Sequence, residues 1–190
     1  MLDKRQQQIL AVRNHAMKTR KILCTGNPDR KGTIASGVRE IWPEATFIHL
    51  SNGYNFRDLR EKQKDIEELF KQHNTFINAS YVKGYQARLL QICNENMMVG
   101  DVFNIGTTHE YDNLGHEEYK NNKLELRKLS LELNSFRFQT CHIIIGGIDV
   151  GTPETNSWIK PTRIAKMIKW ITEQDVKIPI IGIDQPKQPW

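Results

Sequence analysis

The chain of 190 residues carries 27 lysines and arginines against 22 aspartates and glutamates, a formal net charge of +5 with a sequence pI near 9.1. With 38% hydrophobic and 26% charged residues it has the composition of a globular domain with a sizeable core, which excludes a disordered chain. No apolar run approaches the roughly 18 residues of a membrane span, and the N-terminus is too polar for a secretory signal. A cytoplasmic protein without membrane association is expected. The basic balance admits an acidic partner without identifying one. The cysteines Cys24, Cys93 and Cys141 lie far apart with no CxxC spacing, which reads as buried reduced thiols and predicts neither disulfides nor a metal site.

Residues 1–19 form a predicted helical extension, with Ile9, Leu10, Val12 and Met17 set among basic and glutamine side chains. Three roles are open to it: docking on its own domain, which a short apolar stripe favours, assembly of a homo-oligomer, or contact with an anion. Its basic residues read as a solvated face, so nucleic acid is not an expected partner.

A single domain is predicted over 20–190. KILCTG reads as a first strand entering a glycine turn, followed by a helix from Thr33 to Ile41 that ends at Trp42-Pro43. ATFIHL is a second strand, and Phe56 to Leu59 carries a short third. A helix over Glu61 to His73 places Ile66, Leu69 and Phe70 at helical spacing. Thr75 to Asn78 is a fourth strand, Tyr85 to Asn94 a helix, and Val102 to Ile105 a fifth strand. The helix from Tyr119 to Asn134 sets Leu124, Leu129, Leu131 and Leu133 on its apolar side. Cys141 to Ile145 is the most apolar run and reads as a central strand. A helix over Pro161 to Thr172 buries Ile164, Met167, Ile168 and Ile171, and Ile178 to Ile183 closes with a last strand. Strands alternating with helices predict an α/β fold: a Rossmann-like, doubly wound parallel sheet in three αβα layers.

Ligands of such sheets sit beyond the carboxyl ends of the strands, where this chain places its chemically suggestive residues. After the fifth predicted strand come Gly106 and the hydroxyls of Thr107 and Thr108. Tyr119 and Lys123 follow at a spacing that stacks them on one helix face. A phenol holds its proton too tightly for work at neutral pH, and a nearby ammonium lowers its pKa. Tyr119 is then a general acid or base, with Thr107 bonding the same substrate oxygen. Tyr and Lys four apart also recur by chance on helices, so the reading depends on the order of everything around them.

That order resembles the short-chain dehydrogenase/reductase family. TGNPDRKG (25–32) is similar to its cofactor-binding glycine motif, INAS (77–80) to its NNAG segment, and FNIGTT (103–108) to its serine-bearing strand end. YKNNK (119–123) matches Y-x-x-x-K, and GGIDVGT (146–152) resembles the proline-glycine turn. IKPTRIAKMIKW with IPIIGID resembles the final helix and strand.

The resemblance implies an NAD(P)-dependent oxidoreductase moving hydride between nicotinamide and a small-molecule carbonyl or alcohol substrate. Tyr119 would be the acid/base, Thr107 the donor to the substrate oxygen, and Lys123 the holder of the ribose hydroxyls. Asn78 would line the cofactor and stand for the family's helix asparagine; a turn-forming role at a strand end is equally open. Thr25, Gly26, Arg30, Lys31 and Gly32 would cradle the cofactor's phosphates, Asp58 and Leu59 would flank its adenine, and Ala79, Gly147 and Ile148 would line it.

Arg30 stands where the family has a second glycine. A second register sets Thr33-Ile34-Ala35 against the S-I-A of the enoyl-reductase branch and makes Thr33 and Ile34 cofactor neighbours, although that branch spaces its Tyr and Lys further apart. The segment from Thr152 to Lys160 leaves a small lid or none. NADP is the preferred cofactor and NAD the alternative, because the second strand ends in Ser51-Asn52-Gly53 without a carboxylate, while Arg30, Lys31 and Arg57 lie near the adenosine side. The rival reading is a nucleotide-binding sensor or scaffold that does not turn over.

Overall fold

The computed structural model describes residues 3–55, 59–111, 116–135, 137–156, 158–174 and 177–184. Among them the elements run α1 (Lys4–Ala16), β1 (Ile22–Thr25), α2 (Ile34–Ile41), β2 (Thr46–Ile48), α3 (Leu59–Gln72), β3 (Thr75–Asn78), α4 (Tyr85–Asn96), β4 (Gly100–Ile105), α5 (Glu117–Glu132), β5 (Phe138–Ile145), α6 (Pro161–Thr172) and β6 (Ile180–Ile183).

The strands form one parallel sheet in the order β2-β1-β3-β4-β5-β6. Helices must cover both faces of such a sheet, because parallel strands are joined by crossovers. The strand residues comply by alternating. Ile22, Cys24, Ile77, Phe103, Cys141 and Ile143 pack with α2 and α6 residues such as Val38, Ile164 and Ile168. Leu23, Phe76, Val102 and Phe138 face the other way, onto Ile66, Phe70, Leu90 and Leu126 of α3, α4 and α5. The α2–α6 packing is close because residue 37 is glycine: a Cβ there would lie 2.4 Å from the Pro161 carbonyl carbon. The chain winds outward from β1 to β2 and returns past β1 to β3, so the order reverses between β1 and β3. That reversal opens a crevice at the strand ends.

The doubly wound α/β architecture is as the sequence predicts, with several corrections. The short third strand expected over Phe56–Leu59 is not formed by Leu59, which begins α3; Phe56 to Asp58 lie outside the described residues. The buried seam of α5 is Lys123, Leu126 and Ser130 rather than a leucine stripe. Leu131 is 43% exposed, and Leu129 and Leu133 are only partly buried. Of the apolar residues expected to form a stripe on α1, Val12 is 47% exposed and Ile9 and Met17 are half-buried, while the Leu10 side chain lies outside the described set. What ties α1 to the domain is an ion pair from Arg13 to Asp101 at the start of β4.

Candidate active site

β4 is buried along its whole length and delivers Gly106 and Thr107 to the carboxyl edge of the sheet. Thr107 starts a single 3-10 turn over Thr108–Glu110, closed by a capping box in which the Glu110 carboxylate accepts the Thr107 N–H at 3.0 Å. Glu110 has no exposed side-chain surface. Its Oε1 lies 2.9 Å from His142 Nε2 on β5, and its Oε2 lies 3.5 Å from the Arg127 guanidinium of α5. A Cβ on residue 106 would fall 2.3 Å from both Glu110 Oε1 and His142 Nε2, so glycine there makes room for the pair.

α5 begins at Glu117, which puts Tyr119 in its first turn and Lys123 one turn further in. Tyr119 stands between the other two residues of the expected trio, hydrogen-bonded with Thr107 and with the Lys123 Nζ 5.5 Å from its ring centroid. The half-buried Tyr119 ring sits edge-on to Tyr81, with centroids 4.6 Å apart at 79°. The Lys123 ammonium lies 5.5 Å from the centroid of each of these rings. It donates to the Ile105 carbonyl at 2.6 Å and to Gln86 Oε1 on α4 at 2.7 Å.

The electrostatics differ from the expectation. Burial pushes the Tyr119 phenol above its ordinary value, a hydrogen bond with Thr107 opposes the rise, and the Tyr81 and Glu110 charges add to it. Lys123 is 2% exposed; burial lowers its pKa to about 7, against a smaller upward pull from Glu110. A lysine only half-protonated at neutral pH is a weak electrostatic lever on the phenol. Lys123 serves first as the bridge between β4, α4 and α5.

Asn78 is fully buried, and its amide donates to the Gln86 carbonyl at 2.9 Å and to Asn104 Oδ1 at 3.0 Å. Gln86 returns a bond to the Asn78 carbonyl at 2.9 Å, and Asn104 donates to Ser130 at 3.1 Å. Asn78, fully buried at the end of β3, anchors the network beneath Lys123.

At the β1–β3 reversal the Thr25 hydroxyl accepts the N–H groups of Ala79 and Ser80, each at 2.8 Å, which clamps the two strand ends together. Gly26 (φ 125°) and Gly32 (φ 73°) take up backbone conformations that side chains resist. A Cβ on Gly26 would meet Ser80 Oγ at 2.9 Å and Ala35 Cβ at 3.0 Å. Thr33 caps α2: its hydroxyl accepts from Ser36 N at 3.1 Å and donates to the Arg30 carbonyl at 2.9 Å. The Ile34 side chain turns into the core. Arg30 and Lys31 are exposed. The Asp29 carboxylate is paired with Arg39 at 2.6 Å.

Bare glycine backbone, a helix N-terminus and two exposed cations form a donor set that fits the pyrophosphate of a dinucleotide. One contact narrows it: a Cβ on Gly32 would lie 2.4 Å from Val150 Cα, so the loop after β5 rests on the glycine turn. That loop is held by Ile148 pairing with Ile159 and by Gly147 packed under the Trp158 ring. Toward β2 a groove of about 1100 Å³ is lined by Leu50, Tyr54, Tyr81, Lys83, Tyr85 and Arg88. Asp58 lies outside the described residues, as does the Leu59 side chain.

Sequence reasoning missed Gln86, Tyr81, Glu110 and His142. Glu110 had a readable signal, the T-x-x-E of a capping box from Thr107. His142 stood out as a polar residue inside the apolar run of β5, but its partner did not. Nothing local marked Gln86 or Tyr81, whose roles come from long-range packing.

No protein-family model matches the sequence, and no curated protein is significantly similar to it. Solved structures are similar in shape. The 3-alpha-hydroxysteroid dehydrogenase of Pseudomonas sp. B-0831, crystallised with NADH, superposes with a TM-score of 0.62 at 9% identity, over 86% of this chain and 95% of that one. A short-chain dehydrogenase/reductase from Brucella ovis gives 0.58 at 13% identity, over 86% of this chain and all of that one, at 100%. A short-chain dehydrogenase from Rhodopseudomonas palustris gives 0.55 at 12%, over 97% and 94%. At these identities the shared property is the architecture: the chain has the Rossmann-like fold of the short-chain dehydrogenases and reductases.

Proposed function

We propose that the protein is an NAD(P)-dependent oxidoreductase acting on a small carbonyl or alcohol substrate, with Tyr119 as its acid/base. The observation that carries this reading is the meeting of the Thr107 hydroxyl, the Tyr119 phenol and the Lys123 ammonium at the carboxyl edge of the sheet. The similarity to a dehydrogenase crystallised with NADH supports it. The nicotinamide supplies or accepts the hydride when bound. Tyr119, protonated at neutral pH as an ordinary phenol and held so more firmly by burial, gives a proton to the carbonyl oxygen in the reducing direction. Thr107 bonds both the phenol and the substrate oxygen, fixing their approach. Lys123 holds Ile105 and Gln86 in place and, in its protonated form, offers its third N–H toward the ribose.

NADPH is the proposed preference. β2 leads into His49 to Asn52 with no carboxylate to repel a 2′-phosphate, and Arg30 and Lys31 are exposed by the turn. A second reading, nucleotide binding without turnover, is favoured by Val150 resting on Gly32 and by the weak leverage of Lys123 on the phenol.

NADPH oxidation in the presence of a panel of aldehydes and ketones tests the proposal, with Tyr119→Phe as the control. Turnover that drops about 10²–10⁴-fold in the variant supports it. A Phe variant as fast as wild type removes Tyr119 from the chemistry, and binding without oxidation of any substrate favours the second reading.

A further inference from the structure

At the end of the sheet opposite Tyr119, a cavity of about 490 Å³ lies between α1, the ends of α5 and α6, and the first residues of β4 and β5. Two guanidinium groups converge there on one carboxylate. Arg13 of α1 pairs with Asp101 Oδ1, and Arg20, just before β1, pairs with Asp101 Oδ2 at 2.9 Å. All three are largely out of water, with side chains 12%, 20% and 10% exposed. Lys18 and Lys177 also line the cavity, and Asp101 is the only carboxylate among its described lining residues.

The two guanidiniums and one carboxylate leave one positive charge in excess where the side chains are largely out of water, which a counter-charge would complete. Lys18 and Lys177 stand exposed beside it, and Lys177 donates to the Ser135 carbonyl at 3.2 Å. Burial, and then the charge of Arg13, hold Lys177 below the usual lysine value, so the cations already oppose one another. Two buried polar atoms of lining residues have no hydrogen-bond partner: the donor Nε of Arg13 and the acceptor Oδ1 of Asn134. Among described residues such orphans are few, and these two flank one cavity.

We propose that this cavity binds a small oxyanion that also carries a hydroxyl, the chemistry shared by phosphate and by hydroxycarboxylates. Its anionic oxygens accept from Arg13 Nε and the lysines, and its hydroxyl donates to Asn134 Oδ1. Because Arg13 is the link between α1 and Asp101, occupancy fastens α1 to the domain. The site is remote from Tyr119 and stands whether or not the protein is an oxidoreductase.

The test is a titration of the full chain with inorganic phosphate, and separately with malate, against sodium chloride of equal ionic strength. It is read by melting temperature and by ³¹P line broadening, or by calorimetry for malate. Saturable binding is expected, with a raised melting temperature and slower amide exchange in α1. Lys177→Gln, at an exposed position, is expected to weaken affinity at least tenfold, and Arg13→Gln to abolish it. Binding of phosphate assigns the site to phosphates, and binding of malate alone assigns it to hydroxycarboxylates. Equal affinity in wild type and Lys177→Gln, or no saturable binding of either probe, overturns the proposal.

Discussion

Lys123 is a lysine that the fold keeps close to neutrality, and this has a measurable sign. Its folded-state pKa is about 7 against an ordinary 10.5, with burial as the main cause. Between those values the unfolded chain binds a proton that the folded chain does not, so stability rises with pH across that window. The slope for one proton is about 1.4 kcal/mol per pH unit, and the full difference amounts to roughly 5 kcal/mol by pH 10.5. The buried cysteines and Tyr119 act the opposite way, since their raised pKa values favour folding only until pH reaches their unfolded values near 9 and 10. His73, lowered by burial, titrates below its ordinary 6.5. Over pH 7.5 to 8.5, comparison with a variant lacking the amine isolates Lys123 from these groups and from Lys177, whose pKa burial also lowers. Urea unfolding at these two values is expected to show wild type gaining about 1 kcal/mol more than Lys123→Met. Equal pH slopes in the two proteins would refute the claim that this buried amine is largely deprotonated in the folded state.

Other outcomes follow from the same geometry. Glu110→Gln keeps an acceptor for the Thr107 N–H but removes a charge that raises both Tyr119 and Lys123, so both pKa values should fall; spectrophotometric titration of the phenol checks it, and an unchanged tyrosine titration would disconnect Glu110 from the site. Gly37→Ala forces α2 and α6 apart at the Pro161 contact and should cost about 1–3 kcal/mol in denaturant unfolding, whereas wild-type stability would contradict the close approach. Arg30→Ala should narrow the preference for NADPH over NADH in paired dissociation constants at fixed ionic strength; an unchanged ratio removes Arg30 from the cofactor site.

The alternation of strands and helices was legible because each element carries its own period, and the runs ILCT, TFIN and CHIII are all buried as such runs predict. The Tyr119–Lys123 spacing likewise carried over directly, since a helix places those positions one turn apart. What sequence could not supply was the surroundings. Whether Lys123 faces solvent or the interior depends on α4 closing over it, and its Gln86 partner is 37 residues away. The expectation of a depressed phenol failed for that reason: a cation lowers a neighbour's pKa only while it stays charged, and burial works against that charge. The leucine stripe assigned to α5 failed through a similar cause, because the β4 and α4 polar network takes the seam where Lys123 and Ser130 sit.

The central claim is that this fold binds a nicotinamide dinucleotide at the β1–β3 reversal. Isothermal titration of the full chain with NADPH and with NADH tests it most directly, with Gly26→Val as the control, because a side chain at this φ would strike Ser80 and Ala35 at the turn. The account predicts stoichiometric binding, tighter for NADPH, that the variant loses while remaining folded by circular dichroism. Failure of the wild-type protein to bind either dinucleotide, or undiminished binding by Gly26→Val, would contradict it.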